Sequence, residues 1–159
     1  MNACKQFGSD VIDEDKTALH EARLMIIPDR NLLTARILFD GGYFRRAEAT
    51  LLASNPKNLE SKQHQLEFSY RLGRIHHALG QHQDAIQSYQ ETIKEGQYES
   101  FYYACNAALM IGRILESQGH IEEARQHYEL ALSIKPDEYR SSLHQKAKAG
   151  LNRLQVQSQ

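Results

Sequence analysis

One phrase occurs three times in this chain, as Ala35-Arg36-Ile37-Leu38, Gly73-Arg74-Ile75-His76 and Gly112-Arg113-Ile114-Leu115. Seven residues after each small residue stands a glycine: Gly42, Gly80 and Gly119. Five further on comes an alanine (Ala47, Ala85, Ala124), and four beyond that a large side chain (Leu51, Tyr89, Tyr128). The period is 38 residues from Gly42 to Gly80 and 39 from Gly80 to Gly119. Four matched columns in three copies mean that one supersecondary unit recurs and that each copy leans on its neighbours for a core.

The spacing has a mechanical meaning. A helix runs up to the glycine, where a left-handed residue ends it without a Cβ clash, and a second helix returns antiparallel. Small residues at two columns let the axes approach, and the large residue one turn later fills the space between them. Apolar spacing agrees on both sides of the turn: Leu66, Leu72, Ile75 and Leu79 lie before Gly80, and Ala85, Ile86, Tyr89 and Ile93 after it. With 3 Pro and 9 Gly among 159 residues, long helices have few breakers. The expected fold is all-α, a right-handed solenoid of stacked antiparallel helical hairpins with capping helices. Its expected parts are an N-terminal segment over 1–27, hairpins over 28–57, 58–96 and 97–136, a capping helix over 137–154 and a frayed tail over 155–159.

These columns resemble the tetratricopeptide repeat over residues 28–138. The third unit carries the pattern most fully, with Gly112, Gly119, Ala124, Tyr128, Ala131 and Pro136, whereas the first has Ala35 for glycine and Leu51 for the aromatic. The usual period of this repeat is about 34, and the extra residues are expected in longer first helices, over Asn58–Leu79 and Glu99–Gln118. Long first helices and the closing stretch from Tyr139 to Leu154 are also similar to the C-terminal end of the tetratricopeptide repeat protein 39 family and related bacterial repeat proteins. That likeness implies a place at the end of a longer chain.

At the C-terminal end, Asp137 is expected to cap a last helix whose apolar stripe is Tyr139, Leu143, Ala147, Leu151 and Leu154, with Arg140, Gln145, Lys146, Lys148 and Arg153 facing water. At the other end, Asp13-Glu14-Asp15 opens a short helix reaching Met25. If a repeat is incomplete here, an apolar edge is left for a homodimer or a further repeat to cover.

The arginine column is the leading candidate site. In the resembled family the first helices line a concave groove, so Arg36, Arg74 and Arg113 would form a ladder about 10 Å apart, able to grip carboxylates or phosphates. Local pairing is the alternative: Arg36 with Asp40 and Arg113 with Glu116, while Arg74 has no acid three or four residues on. The same resemblance places Leu32, Tyr70 and Leu109 one turn before the arginines and Phe39, His77 and Glu116 one turn after, all as groove positions. Family members that clamp chaperone C-termini use Lys and Asn there, so that partner is not expected. The aromatics Tyr98, Phe101, Tyr102 and Tyr103 either widen the groove or pack on the preceding hairpin.

Other classes of work find little to stand on. No phosphate-cradling glycine loop, HExxH, GxSxG or CxxC motif occurs, so no catalytic residue, metal site or cofactor is expected. The eight histidines include no i, i+4 pair. His76 is expected to pack between repeats and His127 to pair with Glu123, and Cys105 lies among alanines as a small buried thiol. A formal net charge of -1, from 19 basic and 20 acidic residues, gives no dense positive face for nucleic acid. The longest apolar run, Ala107–Ile111, is far short of a membrane span. Residues 1–16 hold no leader-like apolar stretch, and a cytoplasmic location is expected if Met1 is the true start. The expected function is non-enzymatic binding of a protein or peptide partner in the groove. The alternative is a terminal structural or self-association module with no groove ligand of its own.

Overall fold

The computed structural model describes residues 28–157. The expected N-terminal helix, its acidic start and Cys4 lie outside these residues. The described chain is helical, with seven α-helices, one 3-10 turn and no strand. They are α1 (Arg30–Asp40), α2 (Phe44–Leu52), α3 (Lys62–Ala78), α4 (His82–Gly96), α5 (Tyr103–Ser117), α6 (Ile121–Ser133) and α7 (Arg140–Gln157), with the 3-10 turn at Pro56–Asn58. Helices α1 and α2, α3 and α4, and α5 and α6 pack as sequential pairs. First helices also touch first helices (α1 with α3, α3 with α5, α5 with α7), and α2 and α4 each pack on the helix that follows. This is the contact pattern of a helical solenoid.

The turns follow from the glycine column. Gly42, Gly80 and Gly119 have φ of +80°, +74° and +80°, a left-handed conformation that costs an ordinary residue about 1–2 kcal/mol. After each, the chain bonds back onto the helix it has left: Tyr43 N–H to Leu38 C=O at 2.8 Å, Gln81 to His76 at 2.9 Å and His120 to Leu115 at 2.9 Å.

The small-residue column works by close approach. A Cβ on Gly73 would lie 2.6 Å from the Tyr89 ring, and one on Gly112 2.7 Å from the Tyr128 ring. Both tyrosines are fully buried. In the first unit the column holds Ala35 and the partner column the smaller Leu51, both buried in one cluster with Leu32, Ala47 and Ile75. A second, larger cluster runs from Leu66 to Leu154. Helix α3 serves both, with Phe68 and Ile75 in the first and Leu66 and Tyr70 in the second.

Three helix starts differ from the sequence expectation. Helix α3 begins at Lys62 rather than Asn58, because Asn55 caps the 3-10 turn and Ser61 then caps the helix through His64 N–H at 3.1 Å. Helix α5 begins at Tyr103 rather than Glu99. The extra residues of the period therefore sit partly in connections and in the 15-residue α4, not only in the first helices. Helix α7 begins at Arg140, with Tyr139 before it at φ +53°. Asp137 is not its cap: its N–H bonds to the Ser100 carbonyl at 2.8 Å, and its carboxylate approaches Arg140 at 3.6 Å. The helix also continues to Gln157, so residues 155–157 are helical rather than frayed.

Candidate functional site

The three arginines of the column have three different surroundings. Arg36 Nε lies 3.9 Å from the Asp40 carboxylate, with both side chains more than half exposed, so this pair contributes little. Arg74 stacks its guanidinium 4.3 Å above the Phe39 ring, and Phe39 in turn packs against Phe44 with centroids 5.2 Å apart. Helix α1 thus orients a cation carried by α3 without neutralising it. Arg113 does not form the expected pair with Glu116. The Glu116 carboxylate is gripped by Arg153 of α7, whose Nε and Nη2 both donate at 2.8 Å, and it also accepts the Tyr128 hydroxyl proton. These hydrogen bonds, Arg153 foremost, hold the Glu116 pKa below its ordinary value.

Between α3, α5 and α7 lies a cleft of about 370 Å³. Tyr70 and Arg74 come from α3, and Asn106, Leu109, Met110 and Arg113 from α5. Ser142, Leu143 and Lys146 come from α7, while Tyr102 and Tyr139 stand just before α5 and α7. Four of the expected groove residues are therefore brought together: Tyr70, Arg74, Leu109 and Arg113. Arg36, Phe39, Leu32, His77 and Glu116 are not among the walls. Leu32 is 1% exposed and belongs to the core beneath α1, so it presents no groove surface. His77 packs edge-on against His82. Burial, His82 and Arg113 all lower its pKa, so it is neutral at pH 7. Glu116 is spent on the α5–α6–α7 junction.

Sequence reasoning missed Lys146, which it assigned to water. The signal was present in the i, i+4 spacing of Ser142 and Lys146. Reading it required knowing that α7 stands beside α5 as a further first helix. The cleft is positive: Arg74, Arg113 and Lys146 reach it and no carboxylate lines it. On α3, Arg71, 8% exposed, is held by Glu67, with Nε donating to Oε1 at 2.6 Å. The walls also carry neutral donors. The Tyr70 hydroxyl accepts from Asn106 Nδ2 at 2.6 Å, and burial raises the pKa of both Tyr70 and Tyr102, so both keep their protons. The Tyr102 and Tyr139 rings meet edge to face at 5.3 Å. The aromatic cluster divides: Tyr103 is 5% exposed in the core, Tyr102 is a cleft wall and Tyr98 stands in solvent.

Three other reactive groups have structural partners. The Cys105 thiol donates to the Ala131 carbonyl at 3.3 Å, and burial raises its pKa to about 11. His76 lies 3.4 Å from Glu48 and joins α3 to α2. His127 bonds the Glu123 backbone carbonyl at 2.9 Å rather than its carboxylate. Among the described residues no three His, Cys, Asp or Glu side chains converge as a metal site.

Residues 65–137 match a family model described as tetratricopeptide repeat. This segment belongs to the tetratricopeptide repeat superfamily. It carries the α3–α4 and α5–α6 pairs and most of the cleft. Helices α1, α2 and α7 lie outside the match, and in the α1–α2 pair the repeat columns are the degenerate Ala35 and Leu51. No curated protein and no solved structure matches the chain, and the narrower likeness to the tetratricopeptide repeat protein 39 family has no support beyond the residues that suggested it. Tetratricopeptide repeats are a non-enzymatic fold that generally mediates protein–protein interaction. Among the described residues no helix is long and apolar enough to cross a membrane.

Proposed function

We propose that the chain binds an extended segment of a partner protein across α3, α5 and α7, with Arg74, Arg113 and Lys146 taking its acidic side chains. Leu109 and Met110 would take a neighbouring apolar one. The reading is carried by one observation: three cations from three helices line a cleft that contains no carboxylate. Because the walls sit on packed helices, the site is largely formed before the ligand arrives, which lowers the ordering cost of binding. Arg36 lies outside this cleft, so the ladder reduces to Arg74 and Arg113, extended by Lys146.

An array of acidic and apolar peptides, read by fluorescence anisotropy on the full chain, tests this. The triple variant Arg74→Ala, Arg113→Ala, Lys146→Ala is expected to weaken the best binder by about tenfold or more and to flatten its salt dependence. Equal affinity in wild type and variant would overturn the reading.

A second reading, self-association, is favoured by a different region. Leu33 and Ile37, one turn apart on α1, are 43% and 63% exposed, and Tyr43 and Leu52 of the same pair are each 57% exposed. Apolar side chains so placed on the first of the described helical pairs suit another copy of the chain.

A further inference from the structure

We infer that the cleft between α3, α5 and α7 selects a phosphorylated side chain on the partner segment over an ordinary carboxylate. This rests on the peptide-binding reading and names its ligand chemistry.

The charge of the cleft favours a dianion. Two acids carried by the helices that build the cleft, Glu67 on α3 and Glu116 on α5, are already committed. Glu116 is held by Arg153 and Tyr128, and Glu67 by Arg71. Among the described residues none of Arg74, Arg113 and Lys146 has a carboxylate within ion-pair distance. One carboxylate brings a single negative charge to three cations, whereas a phosphate monoester brings about −1.5 to −2 at pH 7, with three acceptor oxygens. A dianion therefore matches what the cleft leaves uncompensated.

The geometry of the donors favours it as well. Arg74 is held by its stack on Phe39, so its planar fork is set before binding. The Tyr70 oxygen already accepts from Asn106, which leaves its own proton to donate. Tyr102 and Ser142 add neutral hydroxyls to the walls. Donors of both kinds surround the space, and Leu109, Met110 and Leu143 supply an apolar lining for the stem of a side chain. At about 370 Å³ the cleft exceeds what a bare anion needs, which favours an anion borne on a peptide side chain.

The test uses the full chain and degenerate peptide libraries with one fixed central residue: phosphoserine, phosphothreonine or phosphotyrosine, their unmodified forms, and glutamate. Inorganic phosphate is a separate arm. At least one phosphorylated library is expected to bind about tenfold or more tightly than both its unmodified form and the glutamate library. Arg74→Ala, Arg113→Ala and Lys146→Ala should each reduce that preference severalfold, and Arg45→Ala on α2 should leave it unchanged. Melting curves of every variant identify those that fail to fold, and charge-keeping Arg74→Lys and Arg113→Lys, which should retain part of the preference, replace them. If glutamate binds as well as phosphate in a manner dependent on Arg74, the phosphate inference falls and the peptide reading stands. Phosphopeptide binding that the three variants leave intact overturns the assignment to this cleft. Saturation by inorganic phosphate with the same affinity overturns the peptide-borne ligand, and no binding by any library overturns both readings.

Discussion

Tyr128 shows how one side chain can set the spacing of three helices. It is fully buried, a Cβ on Gly112 or on Gly150 would lie 2.7 or 2.6 Å from its ring, and its hydroxyl donates to Glu116. Glycine on both sides lets α5 and α7 approach the same aromatic ring. Burial and the hydrogen bond to Glu116 push its pKa upward, so the phenol stays a donor. Replacing Gly112 with Ala must displace a ring packed from two sides. It is expected to destabilise the fold by about 1–3 kcal/mol, the range for overpacking a filled core, as measured by urea unfolding. A loss below about 0.5 kcal/mol would mean that the ring has room to move. The glycine column was legible in the sequence because it repeats in step with Tyr89 and Tyr128. Gly150 was not, because it lies on α7, where no third copy of the aromatic follows to mark its role.

Among the elements, α7 departs furthest from its expected role. Its apolar stripe packs as the spacing implies, with Leu143, Ala147 and Leu154 each at most 4% exposed. Its polar side does two further things: Lys146 lines the cleft, and Arg153 holds Glu116. The helix is turned into place by Tyr139, whose left-handed backbone carries its ring to Tyr102. The Arg153 grip makes the attachment sensitive to acid. Because the folded pKa of Glu116 lies below its ordinary 4.5, its contribution is complete above that value and disappears as pH falls through the lower, folded one. Hydrogen exchange in α7 should therefore be slower in wild type than in Glu116→Gln near neutral pH. The difference should begin to close as pH falls below 4.5 and vanish once the folded carboxylate is protonated. Equal α7 exchange rates in both proteins at pH 7 would show that the carboxylate does not secure the helix. Sequence spacing favoured Arg113 as the partner of Glu116, since i, i+3 pairs are the ones a single helix can form. The partner that took the carboxylate is on α7, where Arg153 meets it with two parallel hydrogen bonds.

Over the whole molecule, the two core clusters meet at α3, and the smaller one is built on the pair outside the matched repeat segment. That pair carries Leu33 and Ile37 on its surface. If this face serves self-association, sedimentation of the full chain should show a concentration-dependent dimer. The double change Leu33→Asp, Ile37→Asp should shift the chain to monomer with little change in melting temperature, since both side chains are already exposed. A wild-type chain that stays monomeric at high concentration would remove the self-association reading and leave the cleft as the proposed interaction surface.

The helical repeat, its turns and the identity of its buried columns are determined by the sequence alone. They depend on local spacing: 3.6 residues per turn, a glycine where φ must be positive, a small residue opposite a large one. Which cations are free was decided only in three dimensions. Arg36, Arg74 and Arg113 are equivalent along the chain, yet one lies beside Asp40, one lies on Phe39 and one loses Glu116 to Arg153. Lys146 joins Arg74 and Arg113 because α7 packs on α5, a contact between residues that no local period connects. Charge balance over the chain is a sum, whereas the charge of a cleft depends on which partners reach one another.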